Sequence, residues 1–182
     1  ANDAPIKQGV VTVPVSITIP KAQMPTTGWP LYQFIHGSGG LSNQLVDRGR
    51  VATPDGMAEP GKGPGYVVAR YNIAGVGAAM PVNPERVANA SEYAYLNINN
   101  LSAFPYTFQQ GAIEQRLLLD AMVQLRIPQA TLVGCGATSM GGEHFFAEDR
   151  VMAGGQSMGG MYTNMTAAIE PRWGAIVPTG AG

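Results

Sequence analysis

The chain has 182 residues, a formal net charge of −1 at pH 7 and only 13% charged residues. This length suits a single domain, and the near-neutral charge argues against a surface that binds nucleic acid. No stretch is apolar for long enough to span a membrane. The sequence also lacks a metal-ligand cluster and a phosphate-binding loop, so neither a metal nor a cofactor is predicted.

The first predicted element is a β-strand at residues 11–19, where Val and Ile alternate with Thr and Ser. Such alternation is typical of an antiparallel strand with one solvated face. Pro14 has no backbone donor, so this strand should lie at the edge of its sheet. The preceding start, Ala1–Pro5, resembles a mature end left after removal of a signal peptide. With the low charge, it predicts a secreted or periplasmic protein.

A second strand is predicted at residues 29–35, which are nearly all apolar and therefore suit a strand buried on both faces. It leads into a glycine-rich turn, His36-Gly-Ser-Gly-Gly. Such a turn at a strand end exposes backbone N–H groups that can point at a developing oxyanion. Because the backbone provides the chemistry in this kind of turn, the side chain of His36 is expected to brace the loop.

The middle of the chain gives a mixed pattern. A short helix is predicted at residues 41–49, a Gly/Pro-rich loop at 53–65 and a third strand at 66–71. Residues 73–106 are predicted to be irregular, because they are polar and aromatic and contain three prolines. Such a long segment is expected either to lie over a functional site or to pack as an ordinary loop.

The strongest helix prediction covers residues 107–125. Its apolar residues recur at helical spacing and predict one buried face: Ile113, Leu117, Leu118, Ala121, Met122 and Leu125. The helix should end before Pro128. Residues 130–147 are interpreted as a connection.

A strand, turn and helix are predicted around Ser157. The apolar residues 150–153 run into Gly-Gly-Gln-Ser-Met-Gly-Gly, a helix is expected at 158–169, and another strand at 173–177. This is the context that a G-x-S-x-G nucleophile turn requires, and it makes Ser157 the candidate nucleophile. Ser139 lies in a similar Ser-Met-Gly-Gly stretch, but there is no room for a long helix after it. Ser157 is therefore preferred.

Together, the two glycine-rich turns resemble those of the α/β-hydrolase superfamily. The stretches 95–104 and 108–115 further resemble secreted bacterial esterases and lipases, and the resemblance covers residues 28–182. It implies an α/β-hydrolase fold: a mostly parallel sheet with helices on both faces and an antiparallel amino-terminal strand. It also implies an oxyanion hole formed by the N–H of Met158 and one N–H from Gly37, Ser38 or Gly39, with Ser38 favoured. Three aromatic residues of the irregular segment are candidates for the substrate pocket: Tyr93, Tyr95 and Phe104.

The chain departs from the superfamily in its catalytic triad. The order in this fold is nucleophile, acid, histidine, yet no histidine or aspartate follows Ser157 and the only later carboxylate is Glu170. Both histidines, His36 and His144, precede the serine. We therefore expect residues 1–182 to be the amino-terminal portion of one hydrolase domain, with the acid and histidine on another segment, such as a carboxy-terminal polypeptide of the same precursor. A less favoured alternative uses His144 as the base.

The function expected from this pattern is hydrolysis of a small-molecule or lipid carboxylic ester through an acyl-enzyme. The alternatives are a non-catalytic binding or scaffold protein with the same fold, and a thioesterase or peptidase. Cys135 is the only cysteine, and it is expected to be either a buried free thiol or a partner for a cysteine on the missing segment.

Overall fold

The computed structural model describes residues 6–181 of the chain. Ala1–Pro5, on which the prediction of signal removal depends, lie outside the described residues. The strands and α-helices, in chain order, are β1 (Val15–Thr18), β2 (Trp29–Ile35), α1 (Gln44–Asp47), α2 (Pro64–Ala69), β3 (Ala74–Ala78), α3 (Phe104–Gln124), β4 (Ile127–Pro128), β5 (Glu143–His144), β6 (Phe146–Gln156), α4 (Met158–Ala167) and β7 (Trp173–Thr179). Short 3₁₀ helices occupy Ala94–Leu96, Leu101–Ala103 and Gln129–Leu132.

Five of the strands form one sheet in the order β1-β3-β2-β6-β7. Its central strands are parallel, and β1 pairs with β3 in the antiparallel direction. This confirms the predicted sheet, including the edge position of the amino-terminal strand, although β1 is shorter than the alternation at 11–19 predicted. The two remaining strands, β4 and β5, form a small separate hairpin.

Helices pack on both faces of the large sheet. Helices α1 and α2 lie against the β1–β3 end, where a Cβ on Gly75 or Gly77 would come within 3.1–3.2 Å of the Leu45 side chain of α1. Helices α3 and α4 cover the other face and enclose the main apolar core. Fully buried residues of that core include Trp29, Leu31, Leu119 and Tyr162. Among the described residues, no helix is both long and apolar enough to cross a membrane.

The prediction of a strand at residues 66–71 was wrong, because this segment lies in and just after helix α2. Pro64 occupies the first turn of that helix, where its fixed φ and missing N–H are compatible with helical geometry. The third strand is β3, which the prediction had placed in an irregular segment. Its sequence, Ala-Gly-Val-Gly-Ala, is a weak strand pattern, and the glycines are required because α1 packs closely on them.

Helix α3 forms close to its predicted bounds, and its buried face was predicted in part, because Met122 is buried and Leu118 and Leu125 pack against the core. Leu117 is 58% exposed and Ala121 is exposed, whereas Gln115 is buried. Gln33 of β2 donates to the carbonyl and side-chain oxygens of Gln115, both at 2.8 Å. Gly111 lies on the same face, where a Cβ would overlap the ring of Tyr162. A polar residue and a glycine therefore occupy positions that an apolar pattern cannot identify.

An ion-pair network holds the amino-terminal end of β7 to α3 and α4. Glu170 is buried, and Arg172 donates to its two carboxylate oxygens at 2.7 and 2.5 Å. Arg172 also lies 2.7 Å from a carboxylate oxygen of Asp120 on α3. The hydrogen bonds from Arg172 lower the pKa of Glu170 below its ordinary value.

Cys135 lies in the connection before β5, and its side chain is exposed. The prediction of a buried thiol was therefore wrong, because residues 133–136 form a surface turn instead of packing on the sheet. A disulfide to another segment stays a prediction.

Candidate active site

Ser157 lies at the sharp turn between β6 and α4. It has φ 57° and ψ −123°, a backbone conformation that a residue with a Cβ rarely adopts. The turn is held from both sides, because the Ser157 N–H donates to the Thr179 carbonyl at 2.8 Å and the Ser157 carbonyl accepts from the Gly160 N–H at 2.8 Å. The hydroxyl is thus presented at the carboxyl end of a central parallel strand, the usual place for a site in such sheets.

Glycines on both sides of Ser157 allow the close packing of this turn. A Cβ on Gly155 would overlap the Gly159 backbone and lie 2.8 Å from the Thr163 hydroxyl oxygen. A Cβ on Gly159 would overlap the Ile35 carbonyl oxygen and lie 2.6 Å from the His36 carbonyl oxygen. The first turn of α4 is therefore pressed against the end of β2.

The same packing brings the 36–40 turn to Ser157. Strands β2 and β6 are neighbours in the sheet, and both turns follow their carboxyl ends. A Cβ on Gly37 would lie 3.4 Å from the Cβ of Ser157 and 2.7 Å from the side-chain oxygen of Gln156. The two glycine-rich turns predicted from sequence therefore form one site.

Each of the two turns carries a backbone donor without a partner among the described residues. Among residues 6–181, neither the Met158 N–H nor the Ser38 N–H has a hydrogen-bond acceptor. The Met158 N–H belongs to the first turn of α4, where the helix dipole also favours negative charge. A site with these donors suits an anion or an oxygen on which negative charge develops.

His36 braces the 36–40 turn, as predicted. Its Nε2 accepts from the Met80 N–H at 3.2 Å, and its Nδ1 lies 2.8 Å from the Gly37 carbonyl oxygen. This pair of partners requires a neutral ring protonated on Nδ1. Burial lowers the pKa of His36, in agreement with the neutral form.

A second set of contacts ties residues 83–85 to the same turn. The Asn83 side-chain amide donates to the Gly40 carbonyl, and the Asn83 side-chain oxygen accepts from the Glu85 N–H at 2.8 Å. The Glu85 carboxylate in turn accepts from the Ser42 N–H at 2.6 Å and from the Ser42 hydroxyl at 3.0 Å. We call residues 80–85 the clamp, because these bonds fix the turn along its length.

The clamp also contains a strained residue. Six residues other than glycine have positive φ in the described part of the chain, and four of them are Asn or Asp, which tolerate this region. The other two are Ser157 and Val82, whose φ is 54°. Strain of this kind costs on the order of 1–3 kcal/mol and concentrates at functional sites. Both residues lie at this end of the sheet.

Next to the two turns lies a small cavity of about 10 Å³, room for roughly one water molecule. Its lining includes Gly39 and Met158 from the turns, Val82 from the clamp, and Glu92 and Tyr95 from the following loop. A larger groove of about 330 Å³ lies between residues 9–15 and α3, and neither Ser157 nor the 36–40 turn lines it.

The three aromatic residues predicted for the pocket have different environments. Tyr95 reaches the site, because its hydroxyl accepts from the Ser38 hydroxyl at 2.9 Å. Phe104 lies in the core instead, with its ring 5.0 Å from that of Phe108. Tyr93 is 53% exposed and does not line the cavity.

The remaining candidate side chains lie elsewhere. His144 accepts from the Trp29 indole N–H at 3.1 Å and lies 2.9 Å from the Gln129 side-chain oxygen. It precedes β6 and lies beside Trp29, at the far end of β2 from the 36–40 turn, so the length of β2 separates it from Ser157 by on the order of 20 Å. Ser139 is on an exposed turn and donates to the Glu143 carbonyl at 2.5 Å. The structure therefore does not place His144 where a base for Ser157 would be.

Sequence reasoning missed several residues of the site. Asn83, Glu85 and Glu92 reach the turn from a segment about 50 residues further along the chain, which no local pattern reveals. The two prolines that flank Val82 and Asn83 were the only signal of a rigid loop there.

Two solved structures are similar to this chain. One is a proposed acetyl xylan esterase from Bacteroides fragilis, with a TM-score of 0.55 and 15% identity over 95% of this chain and 42% of that one. The other is the 2,6-dihydroxy-pseudo-oxynicotine hydrolase, with a TM-score of 0.48 and 15% identity over 90% of this chain and 33% of that one. The chain thus spans less than half the length of either protein. No protein-family model and no curated protein matches it. The likeness to the esterase, with the strand order described above, shows that the chain has the α/β-hydrolase fold.

Proposed function

We propose that this protein is a serine hydrolase that cleaves carboxylic esters through an acyl-enzyme, with Ser157 as the nucleophile. The observation that carries the proposal is the strained backbone of Ser157 in a turn that packs on the 36–40 turn, together with the N–H groups of Met158 and Ser38, which have no acceptor among residues 6–181. A nucleophilic hydroxyl and preorganised backbone donors are two of the three components that acyl transfer needs, and the third is a base that activates the hydroxyl.

In this mechanism, the Ser157 oxygen attacks the ester carbonyl carbon and loses its proton to a base. The N–H groups of Met158 and Ser38 donate to the carbonyl oxygen as it becomes negatively charged. The tetrahedral intermediate then expels the alcohol, which takes up the proton, and the acyl group remains on the serine. Water attacks this acyl-enzyme in the same way and releases the carboxylic acid.

The base is proposed to come from a segment outside these 182 residues. Both histidines of the chain have other partners, His36 within the turn and His144 at the opposite end of β6. Glu170 is paired with Arg172 at the amino-terminal end of β7. We propose that an acid and a histidine from a carboxy-terminal segment approach Ser157, and that this segment also covers β7, where Ile176 and Val177 are 40% and 59% exposed. Secretion or periplasmic location is part of the same proposal.

The proposal is tested on the full-length protein with a short-chain phenyl ester and with a fluorophosphonate probe that labels activated serines. Ser157→Ala should abolish labelling and lower kcat by on the order of 10⁶-fold. Ser139→Ala is the matched control, because Ser139 has a similar local sequence but lies on a surface turn. Full activity of Ser157→Ala would overturn the assignment.

A second candidate is a non-catalytic binding protein, favoured by the commitment of both histidines to structural bonds. The same experiment separates the two functions. A full-length protein that hydrolyses neither oxygen esters, thioesters nor peptides, and does not react with the probe, would support the binding function.

A further inference from the structure

The loop of residues 91–95 covers the 36–40 turn with a carboxylate. An ideal Cβ on Gly39 would lie 2.8 Å from the Cβ of Glu92 and 3.1 Å from a carboxylate oxygen of Glu92. Gly39 has φ 66°, so the turn exposes its bare backbone to this side chain. Tyr95 fixes the other end of the loop through its bond with the Ser38 hydroxyl. Glu92 is thus held on the turn that carries one of the proposed oxyanion donors.

No basic side chain among residues 6–181 lines the cavity to offset this charge. Within the described part of the chain, the cavity lining contains one carboxylate, that of Glu92, and no Lys or Arg. His36 also lines it, but its bond from the Met80 N–H requires an unprotonated Nε2. Arg86, just after the clamp, forms a two-fold hydrogen-bonded pair with Glu114 at 2.5 and 3.0 Å, so its charge is compensated there.

We propose that Glu92 sets the charge preference of the site, which favours esters with a cationic substituent near the carbonyl over neutral ones and neutral ones over anionic ones. This inference rests on the proposed hydrolase function and specifies its substrate class. Glu92 is exposed, so it can meet a substrate in solvent without moving out of the core.

The size of the effect follows from Coulomb's law. At a separation of about 6 Å in a water-like dielectric, the charge of Glu92 should raise kcat/KM about threefold for a cationic ester and lower it about threefold for an anionic ester. Removal of the Glu92 charge should therefore change the ratio of kcat/KM for cationic over anionic esters by about tenfold. Because exposed charges are screened by salt, the wild-type ratio should also fall toward one between about 0.01 M and 1 M ionic strength.

The test uses the full-length protein and phenyl esters of similar length that differ in charge. One series carries the charge in the acyl chain: butyrate, hemisuccinate and 4-(trimethylammonio)butyrate. A second series carries matching charges on the alcohol. Glu92→Gln is compared with the wild type and with Glu143→Gln, an exposed carboxylate at the opposite end of β6. Glu92→Gln should lower the ratio of kcat/KM for cationic over anionic esters at least threefold in one series. Glu143→Gln should leave this ratio at the wild-type value.

The inference is overturned if the ratio of kcat/KM for cationic over anionic esters in Glu92→Gln stays within threefold of the wild-type value in both series. Failure of the proposed function gives a different result, namely no turnover of any ester, including the neutral ones. In that case the same comparison is made by calorimetric binding of the corresponding amides to Ser157→Ala protein with and without Glu92→Gln. Cationic amides should then bind more tightly than anionic amides only when Glu92 is present. Equal affinity of the two kinds of amide for the protein that retains Glu92 would refute the charge preference.

Discussion

Replacement of Gly159 by Ala tests the contact that joins the two halves of the site. Gly159 lies in the first turn of α4, and a methyl group there would overlap the Ile35 carbonyl oxygen. It would also lie 2.6 Å from the His36 carbonyl oxygen and 2.7 Å from the Ile35 carbonyl carbon. All three neighbours are backbone atoms, so no side-chain rotation can relieve the overlap.

The expected loss of stability is large for a single methyl group. Overpacking costs about 1–3 kcal/mol, and contact with backbone atoms places this substitution at the upper end. The higher helix propensity of Ala offsets up to about 1 kcal/mol of the cost. We therefore expect the free energy of unfolding to fall by about 2 kcal/mol, and ester hydrolysis to fall as well, because α4 must move away from the 36–40 turn.

Urea unfolding followed by tryptophan fluorescence measures this change. With a slope of about 2 kcal/mol per M, the midpoint should shift down by about 1 M. Gly141→Ala is the matched control, since nothing lies within 4 Å of a Cβ at that position and its φ is not in the left-handed region. That variant should stay within about 0.5 kcal/mol of the wild type. An unchanged midpoint for Gly159→Ala would refute the packing argument.

Two further predictions concern the clamp and the ion-pair network. Asn83→Ala removes the donor to the Gly40 carbonyl, and the loss of this buried hydrogen bond is worth about 1–3 kcal/mol. Because the 36–40 turn is then less well positioned, kcat should fall about tenfold with little change in KM. Equal changes in kcat and KM for a neutral ester would contradict a positioning role. The pKa of Glu170 is lower in the folded state than in the unfolded state, so its ionised form stabilises the fold. This stabilisation is fully present above the ordinary pKa of about 4.3, and it is lost as the pH falls through the pKa of the folded state. Glu170→Gln should therefore be less stable at pH 7, and its free energy of unfolding should depend less on pH between pH 7 and 3. Urea titration at each pH measures both effects. A wild-type pH dependence in Glu170→Gln would count against this account.

The sequence predicted those parts of the fold in which a local pattern and the tertiary environment agree. Strand β2 has the predicted bounds, because an unbroken apolar run suits a strand covered on both faces. The turn at Ser157 and the helix after it also lie where predicted, since glycine at both flanks has a specific steric role. Strand β3 was missed because its packing against α1 selects glycine and alanine, which carry little strand signal.

The contacts that complete the candidate site could not be predicted in the same way. The bond between Asn83 and Gly40 joins residues 43 positions apart, and only the folded chain brings them together. Part of the buried face of α3 was misread for a similar reason, because Gln115 is buried through its hydrogen bonds with Gln33. In each case, a polar side chain acquires its role from a partner distant in sequence.

The close approach of Gly159 to the end of β2 has a consequence for how this protein can diversify. The turn at Ser157 and the 36–40 turn share backbone contacts, so mutations in either turn affect both at once and leave few neutral paths for change. Residues 81–95, in contrast, attach to the turn largely through side chains such as Asn83, Glu85 and Tyr95. Under the proposed function, substitutions in the part of this loop beyond the clamp would alter substrate preference one contact at a time, and directed evolution for other esters would begin there.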